Sequence, residues 1–414
     1  MPIHYLCRKC RITYSKEQFT QNKFCTSCGS FLLTTFYSEQ TLGKLGNPHS
    51  SPEGSFDEKV ALTRAAESLR QKIGASKEYE VVSESEVEQP KGPSFENWLW
   101  SFEYDEALKL EKKLLEQYSG KDLEGALSGK VVSNQQGECY EISGSCASVF
   151  KTVSFEESRR VIISDLKVIP GIGPVREQTL KQQGYKTVED LTHHVLWNKQ
   201  AREFIKMIDG KEINAAQNWL WRRMPKSHPL LHYLAGFCGD QDFAIVDIET
   251  LGLSERPIIL LGIAKPCKTH ICTSQFLLRD IQDEPSAIWA LVSQLQPKLS
   301  LITYNGKGFD VPYIKQRLVY YGLDASLDNP HFDILHFTRR ALKSKLKDCK
   351  LETVEKYLGI KRDVNIPGAL VPRFYDTYLR TKNVGPLVAI VEHNKQDLLT
   401  LGSLFSRLYE EWNI

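Results

Sequence analysis

The alternation of apolar and polar positions changes character at Gly239. Beyond it the runs FAIVDIE, PIILLGIA and ICTSQFLL are short and β-rich, and the turn-like stretches GLSER and KPCKTH separate them. This pattern predicts three sequential antiparallel strands. A helical stretch, PSAIWALVSQL, then leads to LSLITY. An intervening helix predicts that this fourth strand runs parallel to the first. Before Gly239, EALKLEKKLLEQY carries a helical repeat, FENWLWSFEY is rich in aromatic residues, and GECYEIS and ASVFKTVSF have strand character. Residues 95–164 are thus an α+β segment to which no chemistry is assigned.

The first strand breaks its own apolar pattern with two acids. Asp247 and Glu249 are two residues apart, so a strand places them on one face. Like charges on a buried face repel and lose hydration unless cations sit between them. Further acids arrive from other elements. Asp310, in YNGKGFDVPYIKQRL, falls where the fourth strand gives way to a helix, and Asp397 lies on a C-terminal helix with His393 one turn before it. Four carboxylates drawn from a strand, a junction and a helix are oxygen ligands suited to Mg²⁺ or Mn²⁺.

Composition changes this picture in the first 94 residues. Residues 1–36 carry CRKC and CTSCGS, so that Cys7, Cys10, Cys25 and Cys28 can place four thiolates around one Zn²⁺, whose binding would supply folding free energy to a segment with little core. The segment resembles a rubredoxin-like zinc ribbon, a module that binds nucleic acid or protein. Residues 37–94 turn to Ser, Glu, Lys, Pro and Gly and predict a flexible linker with one solvated helix near 57–73. The six remaining cysteines are scattered singly, as reduced thiols are. The longest central apolar run is far shorter than a membrane span, and the N-terminal residues lack a secretory apolar core. A cytoplasmic protein that does not enter membranes is expected. The 53 basic and 51 acidic side chains give a formal net charge of +2, which neither marks nor excludes a polyanionic partner.

Residues 165–230 contain DLKVIPGIGPVREQTLKQQGYKTVEDL, where Gly171 and Gly173 flank a tight turn and Pro174 suits the first position of a helix. Glycines let the backbone approach a ligand closely, and helix N-terminal amides favour an anion. The stretch resembles a helix-hairpin-helix, which holds a nucleic-acid phosphate without reading bases. The competing reading is a turn that only packs.

Over residues 240–414, DIET, YNxxxFDxPY and HxxxD occur in order and resemble the three motifs of the DEDD exonuclease superfamily within the ribonuclease H-like fold, in its DEDDh form. HFDILHFTRRALKSKLKDCKLETVEKYLGI and IPGALVPRFY are similar more narrowly to the YprB-type family. The resemblance implies an α/β fold, a ribonuclease H-like mixed sheet flanked by helices. It also implies that Asp247, Glu249, Asp310 and Asp397 hold two Mg²⁺ or Mn²⁺ ions, that His393 is the general base, and that nucleoside 5′-monophosphates leave a 3′ end of DNA or RNA. Asn305 is either a substrate contact or half of an Asn-Gly turn. Asp333 is a further acid better explained as a helix cap. Arg339, Arg340 and Lys343 form a basic element that either meets phosphate or is only solvated. Two other functions stay open. One is a nucleic-acid binder that cuts nothing, and the other is a structure-specific endonuclease using the same metal site.

Overall fold

A computed structural model describes residues 4–6, 13–14, 33–35 and 95–412 other than 149, 268 and 363–365, with side chains from residue 104 onward. The chain divides into two compact units, 1–77 and 78–414. In the first, strands β1 (His4–Leu6), β2 (Thr13–Tyr14) and β3 (Leu33–Thr35) form an antiparallel sheet with β1 in the middle. The four ribbon cysteines and the helix expected near 57–73 lie outside the described residues.

The second unit opens with helix α1 (Phe95–Gln117), which absorbs the aromatic FENWLWSFEY stretch into its first turns. Strands β4 (Gly129–Asn134) and β5 (Gly137–Ala147) follow as a hairpin. Of the strand expected across ASVFKTVSF only Ala147 is in a strand, as the last residue of β5, and the other described residues of the stretch form none. Phe150 instead plugs the core between Phe243 and Phe405, at ring-centroid distances of 5.3 and 5.5 Å, and Ser154 caps the next helix by accepting from the Glu157 amide. Phe150 serves burial, not strand pairing.

Helices α2 (Phe155–Ser164), α3 (Pro174–Gln182), α4 (Asn198–Asp209), α5 (Ile213–Trp221) and α6 (Pro229–Tyr233) build a helical subregion. Pro174 does occupy the first turn of α3, and Gly171 before it takes a φ of 82°, which favours glycine. Then come β6 (Phe243–Thr250), β7 (Ile258–Cys267), β8 (His270–Leu277), α7 (Glu284–Gln294), β9 (Ser300–Thr303), α8 (Asp310–Tyr321), β10 (His331–Asp333) and α9 (Ile334–Leu342). Helices α10 (Leu351–Leu358), α11 (Val371–Thr381) and α12 (Gly385–Arg407) complete the chain.

One seven-stranded sheet runs β10-β9-β6-β7-β8-β5-β4. As predicted, β6, β7 and β8 are antiparallel neighbours, and β9 lies parallel to β6. The β4–β5 hairpin extends this sheet through antiparallel pairing with β8, so the sheet crosses the boundary that the sequence suggests near residue 240. This is a mixed α/β architecture with a ribonuclease H-like sheet flanked by helices.

Alternation along β6 sorts the core into two layers. Phe243 and Ile245 join one apolar cluster with Leu398, Leu401 and Phe405 of α12 and with the helical subregion. Ala244, Val246 and Ile248 join the other, with α7, α8 and α11. Asp247 and Glu249 continue the first face toward the end of β6. The pairing with β7 slips between Glu249 and Thr250, a bulge that re-aims the strand end. Among the described residues no helix is long and apolar enough to cross a membrane.

Candidate active site

The two acids of β6 lie under helix α12. Asp247 sits opposite Gly262 of β7, and the buried Asn394 side chain of α12 donates to its Oδ2 at 2.7 Å and to its backbone oxygen at 3.3 Å. Asn394 is held in turn by Gln275 of β8, whose amide donates to it at 2.9 Å and to the Val391 carbonyl at 2.8 Å. One turn of α12 brings His393 and Asp397 to the same place, with His393 Nε2 3.9 Å from Glu249 Oε1 and 3.7 Å from Asp397 Oδ2. Asp310, at the start of α8, accepts from the Ile248 amide at 3.2 Å and so reaches β6 between the two acids. A cavity of about 60 Å³ is lined by Asp247, Glu249, His393 and Asp397 and walled on its apolar side by Leu253, Phe309 and Pro372.

Electrostatics make this cluster unstable as four free carboxylates. Burial is the main cause that lifts Asp247 and Glu249 well above the carboxylate range, and Asp397 and Asp310 add repulsion. Asp310 is pushed up to about 7, by burial first and then by Asp333 and Asp397, against the hydrogen bonds of its own amide and that of Ile248. Burial holds His393 below its ordinary value, and the nearby Arg362 guanidinium adds to that against the pull of Asp397.

Arg362 is the residue that no sequence pattern points to. It pairs with the buried Glu355 and with Asp397, and its Nη1 lies 3.0 Å from His393 Nδ1. Thr400 of α12 donates to the other Glu355 oxygen at 2.6 Å, which anchors the pair. Nothing local marks Arg362, because its partners are 7, 31 and 35 residues away. Asn394 was equally hidden, although it is the residue between His393 and Lys395 in the HxxxD stretch.

Among the described residues no three His, Cys, Asp or Glu side chains stand in metal-ligand geometry. The donor set still fits hard divalent cations. It offers carboxylate oxygens only, their mutual repulsion calls for more positive charge than one arginine supplies, and His393 stays neutral beside them.

The other expected residues stand apart from this cavity. Asn305 follows β9 at a φ of 63°, and its amide donates to Asp333 Oδ1 at 2.9 Å while the Lys307 amide donates to Oδ2 at 3.0 Å. Asp333 also caps α9 through the Leu335 amide, so both its oxygens accept backbone hydrogens and its role is to clamp this loop. Gly171 and Gly173 line an open cleft of about 580 Å³ in the helical subregion. Arg339, Arg340 and Lys343 are exposed at the end of α9.

The seven-stranded mixed sheet is ribonuclease H-like, and residues 244–409 match the RNase_H_2 family model of the RNase_H superfamily. Over 192 residues the chain is 34% identical to YprB of Bacillus subtilis (strain 168), a match covering 45% of this chain and 46% of that protein. The chain therefore spans about half the length of this curated relative. Among solved structures, apo exonuclease I is similar at 17% identity over 36% of this chain and 46% of its own, with a TM-score of 0.24. The metal-free E. coli ExoI–ssDNA complex is similar at 15% identity over 35% and 41% of the two chains, with a TM-score of 0.23.

Proposed function

We propose that this protein is a divalent-metal-dependent nuclease that removes nucleotides from the 3′ end of a nucleic-acid strand. The observation that carries the reading is the convergence of Asp247, Glu249, Asp310 and Asp397 beside the buried His393. A protein that only bound polyanions would gain nothing from four carboxylates facing its ligand.

Asp247, Glu249, Asp310 and Asp397 would hold two Mg²⁺ or Mn²⁺ ions, which supply charge neutralisation at the scissile phosphate and activation of the attacking water. Asn394 fixes one oxygen of Asp247 and leaves the other free to face the cavity. His393 is the candidate base, and its geometry sets a condition on that role. A guanidinium only donates, so the Arg362 contact makes Nδ1 an acceptor and puts the proton of the neutral ring on Nε2, the nitrogen nearest Glu249 and Asp397. Proton uptake at Nε2 thus requires Arg362 to leave Nδ1. Leu253, Phe309 and Pro372 give the cavity an apolar wall that limits water. The cysteine pairs at Cys7, Cys10, Cys25 and Cys28 would hold a structural Zn²⁺, and the ribbon would add a second contact to nucleic acid or a protein.

A second reading, a nucleic-acid binder without hydrolysis, is favoured by the ion pair that Arg362 makes with Asp397. Digestion of 3′-labelled, 5′-labelled and circular single strands, as DNA and as RNA, separates the readings. Wild type should shorten linear strands from the 3′ end with Mn²⁺ or Mg²⁺, stop on chelation and spare circles, while Asp247→Ala does nothing. Strands that are bound yet left intact under every metal condition would sink the nuclease reading, and cut circles would make the enzyme an endonuclease.

A further inference from the structure

We propose that residues 222–228, between α5 and α6, form with Lys307 a phosphate track that leads a single-stranded nucleic acid from the glycine cleft of the helical subregion to the acid cavity. The inference rests on the nucleic-acid substrate proposed above and names its route. Three observations carry it.

The first is an imbalance of charge. Arg222, Arg223 and Lys226 are exposed, and among the described residues none takes a carboxylate partner. Neighbouring cations of the same subregion do pair, Arg159 with Glu189 and Asp209 and Lys167 with Asp165 and Glu177. Arg223 donates only to the neutral Trp219 carbonyl, at 2.9 Å, and a polyanion is a ligand that complements cations left without carboxylates.

The second is continuity. Arg223 and His228 line the open cleft of about 580 Å³ together with Lys167, Gly171 and Gly173. Pro225 borders that cleft, and the next residue, Lys226, borders a narrow crevice of about 10 Å³ shared with Lys307, Asp333 and His336, so a strand would lie across its mouth and not enter it. Burial is the main cause that holds His336 and His228 below their ordinary value; against the pull of Asp333, Lys226, Lys307 and Arg339 add to it at His336, and against that of Asp165, Arg340 and Lys167 add to it at His228. The one acid in this crevice, Asp333, already accepts backbone hydrogens on both oxygens. From Lys307 the chain passes through Gly308 and Phe309 directly to Asp310.

The third is support. Lys307 Nζ lies 4.2 Å from the centroid of the Trp221 ring, and the Arg223 guanidinium lies 5.0 Å from that of Trp219. The Trp219 indole donates to the Val168 carbonyl at 2.8 Å, just before the glycine turn. Trp219 and Trp221 therefore hold Arg223 and Lys307 in place along the route, and Trp219 ties the first of them to the glycine turn. An arrangement of rigid cations along a path, with no array of groups set to read base edges, suits a backbone more than a sequence.

The test measures strand binding as a function of salt with full-length Asp247→Asn protein in chelator, using DNA and RNA strands of about 16 nucleotides and dinucleotides of each. Arg223→Gln/Lys226→Gln should reduce the slope of log affinity against log salt by about 1.4 for the long strands, since each single-strand phosphate contact contributes about 0.7, and leave dinucleotide binding unchanged. Lys226→Glu, a single change at an exposed position, serves if the double variant does not fold, and should weaken the long strands alone. An unchanged slope on long strands, or equal weakening of dinucleotides, overturns the track while leaving the nuclease reading intact. Absence of any strand binding by the Asp247→Asn protein removes both. Loss confined to DNA or to RNA identifies which backbone the track accepts.

Discussion

Gly262→Ala tests whether the site depends on the close approach of α12 to the sheet. Gly262 pairs with Asp247 across β6 and β7, directly beneath Asn394. A methyl group added there would lie 2.2 Å from Asn394 Oδ1 and 2.9 Å from Leu398 Cδ1, where ordinary contacts begin near 3.4 Å. The gap must widen by about 1.2 Å, the difference of those two values for Asn394. Asn394 cannot swing aside cheaply, because it is fully buried and engages Gln275 and both the side chain and backbone of Asp247. The helix must move instead, and it carries His393 and Asp397 on either side of Asn394. Overpacking of this kind costs about 1–3 kcal/mol, and a displacement of about 1 Å at a reacting centre can cost ~100-fold in rate. Urea unfolding monitored by circular dichroism gives the first quantity. Turnover of a 3′-labelled strand with Mn²⁺, at a temperature where the variant is fully folded, gives the second. A folded Gly262→Ala protein with unchanged turnover would refute the claim that this contact sets the position of the helix carrying His393 and Asp397.

Arg362→Gln should tighten Mn²⁺ binding, followed by electron paramagnetic resonance, by roughly 5- to 150-fold, the usual size of a coupling between two interacting groups, because Asp397 loses its internal cation; unchanged affinity would show that the arginine does not compete with metal. Far from the site, Arg317 and Glu284 form a fully buried pair that Tyr321 joins by donating to Glu284 at 2.6 Å. Arg317→Met should cost about 3–5 kcal/mol in urea unfolding by leaving Glu284 buried and unpaired, and Arg317→Met/Glu284→Gln should recover most of it. Burial pushes His232 down to about 3 from an ordinary 6.5, so the unfolded chain binds a proton below pH 6.5 that the folded protein refuses until about pH 3. Stability should therefore fall through that window, by about 2 kcal/mol more at about pH 5 in wild type than in His232→Phe, as measured by unfolding at several pH values; parallel pH curves for the two proteins would contradict this.

What the sequence disclosed was whatever a local pattern can encode. Asp247 and Glu249 stood out because a strand's period of two and an apolar background make paired acids conspicuous. His393 and Asp397 stood out because a helix turn places them together, and Asp310 because a strand-to-helix junction is a defined position. The parallel course of β9 followed from the helix before it. What stayed hidden was held by partners distant in the chain. Arg362 reaches Asp397 across 35 residues, Gln275 reaches Asn394 across 119, and the β4–β5 hairpin joins the sheet through β8, more than a hundred residues later. Phe150 shows the opposite failure. Its surroundings have strand composition, yet the residue is used as a plug against Phe243 and Phe405.

The same division explains the chemistry. The acids are destabilising by themselves, as the raised position of Asp310 shows, so a fold that keeps them buried must balance them with positive charge. Arg362 does part of this within the chain, anchored on Glu355 and Thr400 so that it approaches Asp397 and His393 from one fixed direction. That arrangement neutralises only part of the cluster and ties up the histidine nitrogen whose proton sets the ring's tautomer. Divalent cations would complete the neutralisation and compete for Asp397 in the same step. Removing the arginine from Asp397 would also loosen its hold on Nδ1, which would link loading of the acids to readiness of His393 as the proposed base. The link is made of two contacts from a single side chain, so neither could be altered without disturbing the other.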